Sequence, residues 1–341
     1  MPKKSHCANI RRIAVIGSGI SGLTSAILLQ DNGHQVVVFE KSRGPGGRLA
    51  SKRVPKSSAD IGAQYFTARN PEFLPFLTCY AGPDSFRVWE GKIGFRDESG
   101  EWSEFPREAR YVGAPRMTAI SRQLSAHVEM VAETKIATFQ KRNGLWDLTD
   151  TNGQSHTGFD QIILTAPPAQ TQTLLEDSGL EDLADSLNDA VSRVLPCWAV
   201  AAHFHESPFH AFPWRAYSGA RVEHPVLYWV GNNSSKPERN DQGEWWVLHA
   251  NAEWTQANVD QDPEKVAQLM CQAFTDMVGF DGEPTAVVPH RWLYARSEGG
   301  ETPGHLWYPE QGIGIAGDWL AGGRVEGAFD SAWALISAIE H

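Results

Sequence analysis

The stretch IAVIGSGISG, residues 13–22, joins a short apolar run to a glycine-rich turn. The run Ile13–Ile16 is typical of a fully buried strand, and ISGLTSAILLQDNG after it is typical of a helix that ends near a glycine. QVVVFE, residues 35–40, has the composition of a second buried strand. This order of strand, helix and strand predicts a βαβ unit in a parallel sheet covered on both faces.

The turn itself carries a G-x-G-x-x-G pattern, formed by Gly17, Gly19 and Gly22. In this setting the first glycine permits a tight turn, and the second lets a pyrophosphate approach the backbone. The third packs the helix on the strand, and the N-terminus of the helix attracts the anion. Glu40 ends the next strand, where a carboxylate can accept hydrogen bonds from a ribose. The pattern therefore predicts a dinucleotide site.

A second glycine cluster, EKSRGPGGR at residues 40–48, follows that strand and exceeds what an NAD site needs. FAD is longer, because its ribityl chain and isoalloxazine extend beyond the pyrophosphate. A second backbone loop can wrap the pyrophosphate, and Arg43 or Arg48 can supply positive charge. The segment ADIGAQYF, residues 59–66, offers a further small-residue approach to the cofactor. We predict FAD rather than NAD as the bound dinucleotide.

The C-terminal segment contributes to the same predicted site. GIGIAGDW is a glycine-rich strand that leads to Asp318, a carboxylate placed to bond a ribityl hydroxyl. The helix that follows can direct N–H groups at the flavin and stabilise its reduced, anionic form. The predicted FAD-binding residues are Gly17, Gly19, Ile20, Ser21, Gly22, Glu40, Lys41, Arg43, Gly46, Gly47, Arg48, Gly62, Ala63, Gln64, Val131, Gly317, Asp318, Val325, Glu326, Gly327 and Ala328. We expect non-covalent FAD, because no cysteine follows Cys271.

The middle of the chain has a different character. Asn143-Gly144 and Asn152-Gly153 separate short alternating runs, which predicts a three-stranded antiparallel meander. Beyond it lie aromatic, strand-like segments and one amphipathic helix, for which Asp262 is the predicted cap and Pro263 the first residue. Segments typical of a dinucleotide-binding domain lie near both ends of the chain, so we interpret the aromatic sheet as an insertion between them.

The predicted fold is therefore α/β and has two domains: an FAD-binding Rossmann-like domain and an inserted substrate domain of antiparallel β-sheet and helices. With its two glycine clusters and C-terminal GDW, the first domain resembles the glutathione-reductase/amine-oxidase type. We expect residues 1–75, 111–170 and 290–341 in the discontinuous FAD-binding domain, and residues 76–110 and 171–289 in the substrate domain.

Composition restricts the classes of partner. The formal net charge of -11 disfavours nonspecific binding to nucleic acid or to an anionic membrane surface. Four scattered cysteines without a C-x-x-C pair favour reduced thiols, and no apolar run approaches a membrane span. We therefore expect a cytoplasmic protein with small-molecule partners. The sequence gives no indication of an oligomeric partner.

The motifs IGSGISG, EKSRGPGGR, DIGAQYF and GDWLAGGRVEGA resemble the FAD-binding framework shared by flavin amine oxidases and renalase. Together with SKPER, WWVLHA and HRWLYAR, they are most similar to bacterial renalase-like oxidoreductases, over nearly the whole chain. The resemblance implies an oxidase that converts the 2- and 6-dihydro isomers of NAD(P)H to NAD(P)+ by hydride transfer to flavin N5. Oxygen then accepts the electrons and gives hydrogen peroxide.

A dihydronicotinamide is already a hydride donor, so the reaction requires no acid or base residue from the protein. What it requires is a dry pocket that holds the ring flat. Tyr65, Trp292 and Tyr294 are candidate walls for the ring, and each could equally belong to the core of the sheet. His249 and Asn251 are candidates to bond a carboxamide, and Asn233 and Lys236 to contact ribose or phosphates.

Two alternatives stay open from the sequence: an amine oxidase or desaturase on the same scaffold, and a non-catalytic FAD-binding protein. His203 and His205 lie on one face of a strand with His210 nearby, but strand histidines are more often hydrogen-bonded than metal-bound. We expect no metal.

Overall fold

The computed structural model describes residues 10–207, 216–300 and 302–341. The strands in these residues are β1 (Arg12–Ile16), β2 (Gln35–Phe39), β3 (Ser51–Val54), β4 (Ser57–Asp60), β5 (Phe86–Val88), β6 (Ile93–Arg96), β7 (Trp102–Glu104), β8 (Tyr111–Gly113), β9 (Glu129–Val131), β10 (Ile136–Arg142), β11 (Leu145–Asp150), β12 (Ser155–Phe159), β13 (Gln161–Leu164), β14 (Val194–Phe204), β15 (Gly219–Val222), β16 (Leu227–Asn232), β17 (Glu244–Ala250), β18 (Ala286–Ser297), β19 (Leu306–Tyr308) and β20 (Ile313–Ile315).

The helices in the described residues are α1 (Ile20–Asp31), α2 (Phe73–Tyr80), α3 (Thr118–Ser125), α4 (Pro168–Glu176), α5 (Glu181–Asp185), α6 (Asn188–Ser192), α7 (Ala252–Ala257), α8 (Pro263–Val278) and α9 (Val325–Glu340). Among these helices, none combines the length and the apolar character needed to span a bilayer.

The chain divides into two compact units. Unit 1 comprises the residues up to Gly47, with Leu124–Ser192 and Gly300–His341; unit 2 comprises Arg48–Gln123 and Arg193–Gly299. The division is discontinuous, as the sequence predicts, but the boundaries differ from the predicted ones. Residues 48–75, 111–123 and 290–299 belong to unit 2, and residues 171–192 belong to unit 1. Strand pairing explains one difference, because β18 hydrogen-bonds to β14 along most of its length.

Unit 1 is built on a sheet of strand order β19-β20-β13-β1-β2-β9. β1 pairs in parallel with β2 and β13, and only the edge strand β19 is antiparallel to its neighbour. Alternate residues of β1 enter different apolar clusters: Ile13 and Val15 pack in one, Ala14 and Ile16 in another. The sheet is therefore covered on both faces, which confirms the predicted parallel βαβ arrangement.

Both predicted Asn-Gly hairpins are present in unit 1. β10, β11 and β12 form an antiparallel three-stranded meander, in which Asn143 and the following glycine adopt positive φ values of 51° and 84°. Positive φ at both central residues is the signature of the tight hairpin turn that Asn-Gly favours. The chain then enters β13, which pairs in parallel with β1.

Unit 2 is built on a sheet of strand order β18-β14-β17-β16-β15-β6-β7, in which only β15 and β6 pair in parallel. The adjacent Trp245 and Trp246 of β17 are both buried, in different apolar clusters, as alternation along a strand requires. Helix α8 packs against this sheet through Val266, Met270 and Phe274. The side chain of Asp262 caps α8 by accepting from the Glu264 N–H at 2.9 Å, which confirms the predicted helix start.

Candidate functional site

The turn between β1 and α1 in unit 1 has the geometry that the glycine pattern predicts. Gly17 has a φ of 106°, a conformation that side chains disfavour. A Cβ at Gly22 would lie 2.0 Å from the carbonyl oxygen of Gly17, so only glycine fits there without a backbone shift. Beside Gly19, in contrast, no atom beyond its chain neighbours lies within 4 Å of a Cβ position. The backbone at Gly19 is therefore open to a ligand.

Helix α1 begins at Ile20, directly after this open position. The first N–H groups of a helix lack partners inside the helix and attract anions. In the same turn the Oγ of Ser21 is buried and has no hydrogen-bond partner among the described residues. A hydroxyl in that state fits an acceptor such as a phosphate oxygen.

Glu40 is buried next to the glycine turn. One carboxylate oxygen accepts from the N–H and the Oγ of Ser18, at 2.9 and 2.6 Å, and the other accepts from the N–H of Ser42 at 2.8 Å. Its backbone N–H donates to the carbonyl oxygen of Val131 at 3.0 Å. These bonds hold the carboxylate at the end of β2, where an acidic residue can bind a ribose.

The second glycine loop contacts the first. The N–H of Gly46 donates to the carbonyl oxygen of Ser18 at 2.9 Å, and a Cβ at Gly47 would lie 3.7 Å from the Cα of Gly19. Lys41 is exposed and donates to the Oε1 of Gln170 at 3.1 Å, and Arg43 is also exposed. The structure thus brings the two glycine clusters together.

The C-terminal segment of unit 1 also contains a close approach that requires glycine. Asp318 is 6% exposed, and its carbonyl oxygen accepts from the N–H groups of Ala321 and Gly323 at 2.9 and 2.7 Å. A Cβ at Gly327 would lie 2.3 Å from the carbonyl oxygen of Ala321. The predicted residues of this segment lie around that contact: Gly317 and Asp318 after β20, and Val325, Glu326, Gly327 and Ala328 in the first turn of α9.

The other predicted FAD-binding residues lie in unit 2, where they contact one another. The N–H of Ala63 donates to the carbonyl oxygen of Arg48 at 2.9 Å, and a Cβ at Gly62 would lie 2.1 Å from the same oxygen. The side chain of Gln64 is buried, and its amide nitrogen donates to the carbonyl oxygen of Gly62 at 3.0 Å.

A cluster of buried charges lies next to this segment in unit 2. The fully buried carboxylate of Asp60 accepts from the Nζ of Lys236 at 3.2 Å and from an Nη of Arg239 at 2.6 Å. It also accepts from the Oγ of Ser51 at 2.7 Å and from the N–H of Met117 at 2.9 Å. One carboxylate therefore joins the β3–β4 hairpin, the start of α3 and the segment that carries both cations.

The pKa values reflect this pairing. Burial by itself would raise the pKa of Asp60, but the charges of Lys236 and Arg239 outweigh it and lower the pKa to about 2. Burial lowers the pKa of Lys236 to about 8, against the opposing effect of Asp60. The group holds two cations against one anion, so protonated Lys236 leaves a net positive charge in the interior of unit 2.

The structure gives Asn233 and Lys236 a different role from the predicted contact with ribose or phosphates. The side chain of Lys236 has no exposed surface. Asn233 is also fully buried, where its Oδ1 accepts from the N–H of Asp60 at 3.1 Å and its Nδ2 donates to the carbonyl oxygen of Ser58 at 3.2 Å. Both side chains support Asp60, because their polar atoms are committed to the segment around it.

Asn251 also has a structural role. Its Oδ1 accepts from the N–H of Trp254 at 2.7 Å and caps α7, while its Nδ2 donates to the carbonyl oxygens of His224 and Pro225. These bonds use both polar ends of the amide. Both N–H groups of Nδ2 are used in these bonds, so a carboxamide contact of Asn251 would have to involve Oδ1 and stays a prediction.

His249 and Trp292 converge on one backbone atom. The Nε2 of His249 lies 3.1 Å, and the Nε1 of Trp292 3.2 Å, from the carbonyl oxygen of Ile61. Burial lowers the pKa of His249 to about 4, and the nearby charges of Lys236 and Arg296 act in the same direction. His249 is therefore neutral at neutral pH, with the proton on Nε2 and an acceptor lone pair on Nδ1.

Tyr65 belongs to an aromatic group in unit 2. Its ring centroid lies 5.7 Å from that of Trp229 and 6.4 Å from that of Trp89, and the guanidinium of Arg110 lies 5.3 Å from the centre of its ring. The buried Nε1 of Trp229 has no hydrogen-bond partner among the described residues. Tyr294 lies apart in β18, half-buried, where the pairing with β14 is irregular.

The histidine of β14, His203, has hydrogen-bond partners of its own. His203 bonds the Oγ1 of Thr285 through Nδ1 and the carbonyl oxygen of Gln242 through Nε2. His210 lies outside the described residues. Within the described ranges, no group of three or more His, Cys, Asp or Glu side chains could hold a metal ion.

Comparison with protein families gives two matches. Residues 15–80 match the NAD(P)-binding Rossmann-like domain, and residues 117–334, more than half of the chain, match the flavin containing amine oxidoreductases. The chain belongs to the flavin-containing amine oxidoreductase family. A member of this family uses FAD, and the open backbone at Gly19, the unpaired Ser21 hydroxyl and the buried Glu40 in unit 1 fit its adenosine and pyrophosphate end.

Several curated relatives match this oxidoreductase over short segments. It is 46% identical over 99 residues to a zeta-carotene-forming phytoene desaturase of Myxococcus xanthus, 26% of this chain and 18% of the relative. It is 42% identical over 60 residues to an L-amino acid oxidase of Bothrops pictus, 17% of this chain and 12% of the relative. The matched segments thus span less than a fifth of these relatives.

Solved structures resemble the whole chain at low sequence identity. A putative protoporphyrinogen oxidase from Exiguobacterium sp. 255-15 superposes with a TM-score of 0.73 at 14% identity, covering 97% of this chain and 98% of the other. A redesigned putrescine oxidase has a TM-score of 0.73 at 13% identity, covering 97% and 99%. At this identity the likeness establishes the fold, which is the two-domain fold of the FAD-binding amine oxidases.

Sequence reasoning missed several residues of this oxidoreductase. Asp60 lies in the segment ADIGAQYF, but no sequence signal near it identifies Arg239 as its partner. Arg110, Trp89 and Trp229 join Tyr65 from three separate segments, with no spacing that links them. A buried acidic residue in an apolar segment was the one usable signal, since such a residue must find a cation.

Proposed function

We propose that this flavin-containing oxidoreductase is an oxidase of the renalase type, with the 2- and 6-dihydro isomers of NAD(P)H as substrates. The dihydropyridine ring gives up a hydride and becomes NAD(P)+, and one O2 with one proton becomes H2O2. Bound FAD supplies the hydride acceptor, at N5, and carries the two electrons to oxygen.

The distribution of charge in unit 2 is the observation that carries this proposal. The Asp60 carboxylate carries one negative charge and pairs with two cations, Lys236 and Arg239, so the buried cluster has excess positive charge. Lys236 and Arg296 both act on His249, and Arg110 lies against Tyr65. The carboxylates of Glu298 and Glu108 lie 2.9 and 4.0 Å from Arg296 and Arg110, so the excess charge is that of the Asp60 cluster. Positive charges around the candidate pocket residues favour a substrate with phosphates and disfavour a protonated amine.

The side chains near Ile61 fit a substrate that needs positioning rather than a base. His249 stays neutral at neutral pH, and its Nδ1 can accept a hydrogen bond from a carboxamide N–H. Trp292 donates to the same carbonyl oxygen, which fixes the orientation of its indole. Aromatic faces such as Tyr65 suit a flat ring and exclude water from it.

The second candidate is an amine oxidase or a desaturase on the same scaffold. The short matches to an amino acid oxidase and to a carotene desaturase favour it, as does the aromatic group of Tyr65 and Trp229. Such a group can flank a neutral amine or an apolar chain. The third hypothesis is a non-catalytic FAD-binding protein.

Anaerobic mixing separates the three. The purified FAD-bound protein is mixed with 2- or 6-dihydro-NAD(P), with a panel of amines, or with dithionite, and the flavin absorbance at about 450 nm is followed. We expect the dihydro isomers alone among the physiological donors to bleach the flavin, and air to restore the colour with formation of H2O2. Bleaching by an amine would replace the proposal with the second candidate. Bleaching by dithionite alone would leave only a binding protein.

A further inference from the structure

Unit 2 contains a surface cavity that is lined by Arg239 of the Asp60 cluster and by none of the substrate residues predicted from the sequence. Its volume is about 440 Å³, within the range of roughly 300–1,000 Å³ typical of small-molecule sites. The walls come from three separate segments of unit 2: residues 53–58 of the β3–β4 hairpin, residues 115–116, and residues 238–241.

Three basic side chains in this cavity lack partners, while the acidic ones have them. The side chains of Arg53, Lys56 and Arg116 make no hydrogen bond or ion pair within the described part of the chain. Glu238, in contrast, pairs with Arg87 at 3.5 Å, and Asp241 accepts from the hydroxyls of Ser57 and Ser234.

A fourth cation forms the inner wall. Arg239 lines the cavity, its side chain is 3% exposed, and two of its nitrogens bond Asp60 and the carbonyl oxygen of Gly113. Its Nε is buried and has no hydrogen-bond partner in the residues that the structure describes. An unpartnered buried donor is costly unless a ligand or water satisfies it.

We propose that this cavity is a binding site for a phosphate-bearing small molecule of mononucleotide size, separate from the FAD and substrate sites. Guanidinium groups pair with phosphate through two parallel hydrogen bonds, and Lys56 adds a point charge at the rim. The net charge of -11 makes the average field of the chain repel anions, so attraction at this place is local. The same negative charge argues against nucleic acid as the occupant.

The proposal does not depend on the proposed function, because its test requires no turnover. Isothermal titration calorimetry on the FAD-bound protein uses inorganic pyrophosphate, adenosine 5′-monophosphate and adenosine as probes. The salt is kept at about 20–50 mM, where the Debye length exceeds the roughly 10 Å of 0.1 M salt and charges are weakly screened. We expect the two phosphate-bearing probes to bind and adenosine not to bind. Pyrophosphate binding as tight as the nucleotide would identify the phosphates as the recognised group, and tighter nucleotide binding would add a contact to the base or ribose.

A pair of variants locates the binding. Lys56→Gln with Arg116→Gln removes two charges from the cavity, and Arg107→Gln with Lys265→Gln removes two from elsewhere on the surface of unit 2. We expect the dissociation constant to rise at least about tenfold in the first variant and less than about twofold in the second. Hydrogen exchange of residues 53–58 should slow on binding in the wild type and in the second variant, but not in the first variant at the same probe concentration. Equal weakening in both variants, or no binding of either phosphate-bearing probe, would overturn the proposal.

Discussion

At the scale of single residues, the buried carboxylate of Asp60 has four partners: Lys236, Arg239, the Oγ of Ser51 and the N–H of Met117. The substitution Asp60→Asn keeps its shape but leaves Lys236 and Arg239 buried without a counter-charge. Removing one partner of a buried ion pair destabilises by about 3–5 kcal/mol. We expect a loss of that size in the free energy of unfolding, measured by urea denaturation at neutral pH.

Asp84→Asn is the matched control, because the Asp84 side chain is 94% exposed and pairs with Arg87 at the surface. Exposed pairs contribute about 0–1 kcal/mol, so this variant should unfold close to wild type. The pH dependence adds a second check. The pKa of Asp60 is lowered from 3.8 to about 2, so wild-type stability is lost as the pH falls through that interval. Asp60→Asn should not show that part of the pH-dependent loss. Equal decreases in the free energy of unfolding for Asp60→Asn and Asp84→Asn would contradict the role of Asp60 in a buried ion pair.

At the scale of elements, the turn into α1 contains two glycines with different roles. Gly22 avoids a clash with the backbone, and Gly19 leaves open space beside the turn. In Gly22→Ala the new Cβ would lie 2.0 Å from the backbone of Gly17, so both the stability of the apoprotein and the binding of FAD should fall. In Gly19→Ala the Cβ enters open space, and the φ of -70° at this residue suits alanine. The apoprotein should then keep its stability, while the affinity for FAD falls at least about tenfold because the pyrophosphate cannot approach.

Urea denaturation of the two apoproteins and titration of each with FAD, followed by flavin fluorescence, measure these effects separately. The stability of Gly22→Ala should fall by about 1–3 kcal/mol. Unchanged FAD affinity in Gly19→Ala would show that the open position beside this glycine is not where the cofactor approaches.

At the scale of the whole molecule, the distribution of thiols bears on how the cofactor is held. Burial raises the pKa of both Cys197 and Cys271 to about 12, which makes each a poor nucleophile at neutral pH. No cysteine follows Cys271 in the sequence. We expect acid precipitation of the FAD-bound protein to release all of its flavin into the supernatant, measured by absorbance. A yellow pellet that survives washing in urea would demonstrate a covalent bond instead.

Much of the architecture was predictable because its signals are local. The run Ile13–Ile16, the Asn143-Gly144 turn and the Asp262 cap each depend on a few neighbouring residues, and each occurs where predicted. The boundaries of the two units were harder to predict from the sequence. Residues 290–299 follow β14 into unit 2 because of pairing partners distant in sequence, which composition does not reveal.

The candidate substrate residues show the same difference between local sequence signals and contacts that depend on the fold. Asn251 and Lys236 were chosen by side-chain chemistry, which is the same whether an amide caps a helix or binds a ligand. Only the fold shows that Asn251 caps α7 and that Lys236 is paired with Asp60. Residue type limits what a group can do, and its neighbours decide what it does.

The amino-acid sequence alone determined the glycine turns, the strand and helix pattern around them and, through these, the class of cofactor. Positive φ and close backbone approach are properties of glycine itself, so they are visible residue by residue. The tertiary structure alone decided which charges meet: Asp60 lies far along the chain from the segment that carries Lys236 and Arg239. Their pairing follows from the cost of burying a charge alone, and that cost is incurred only after the chain has folded.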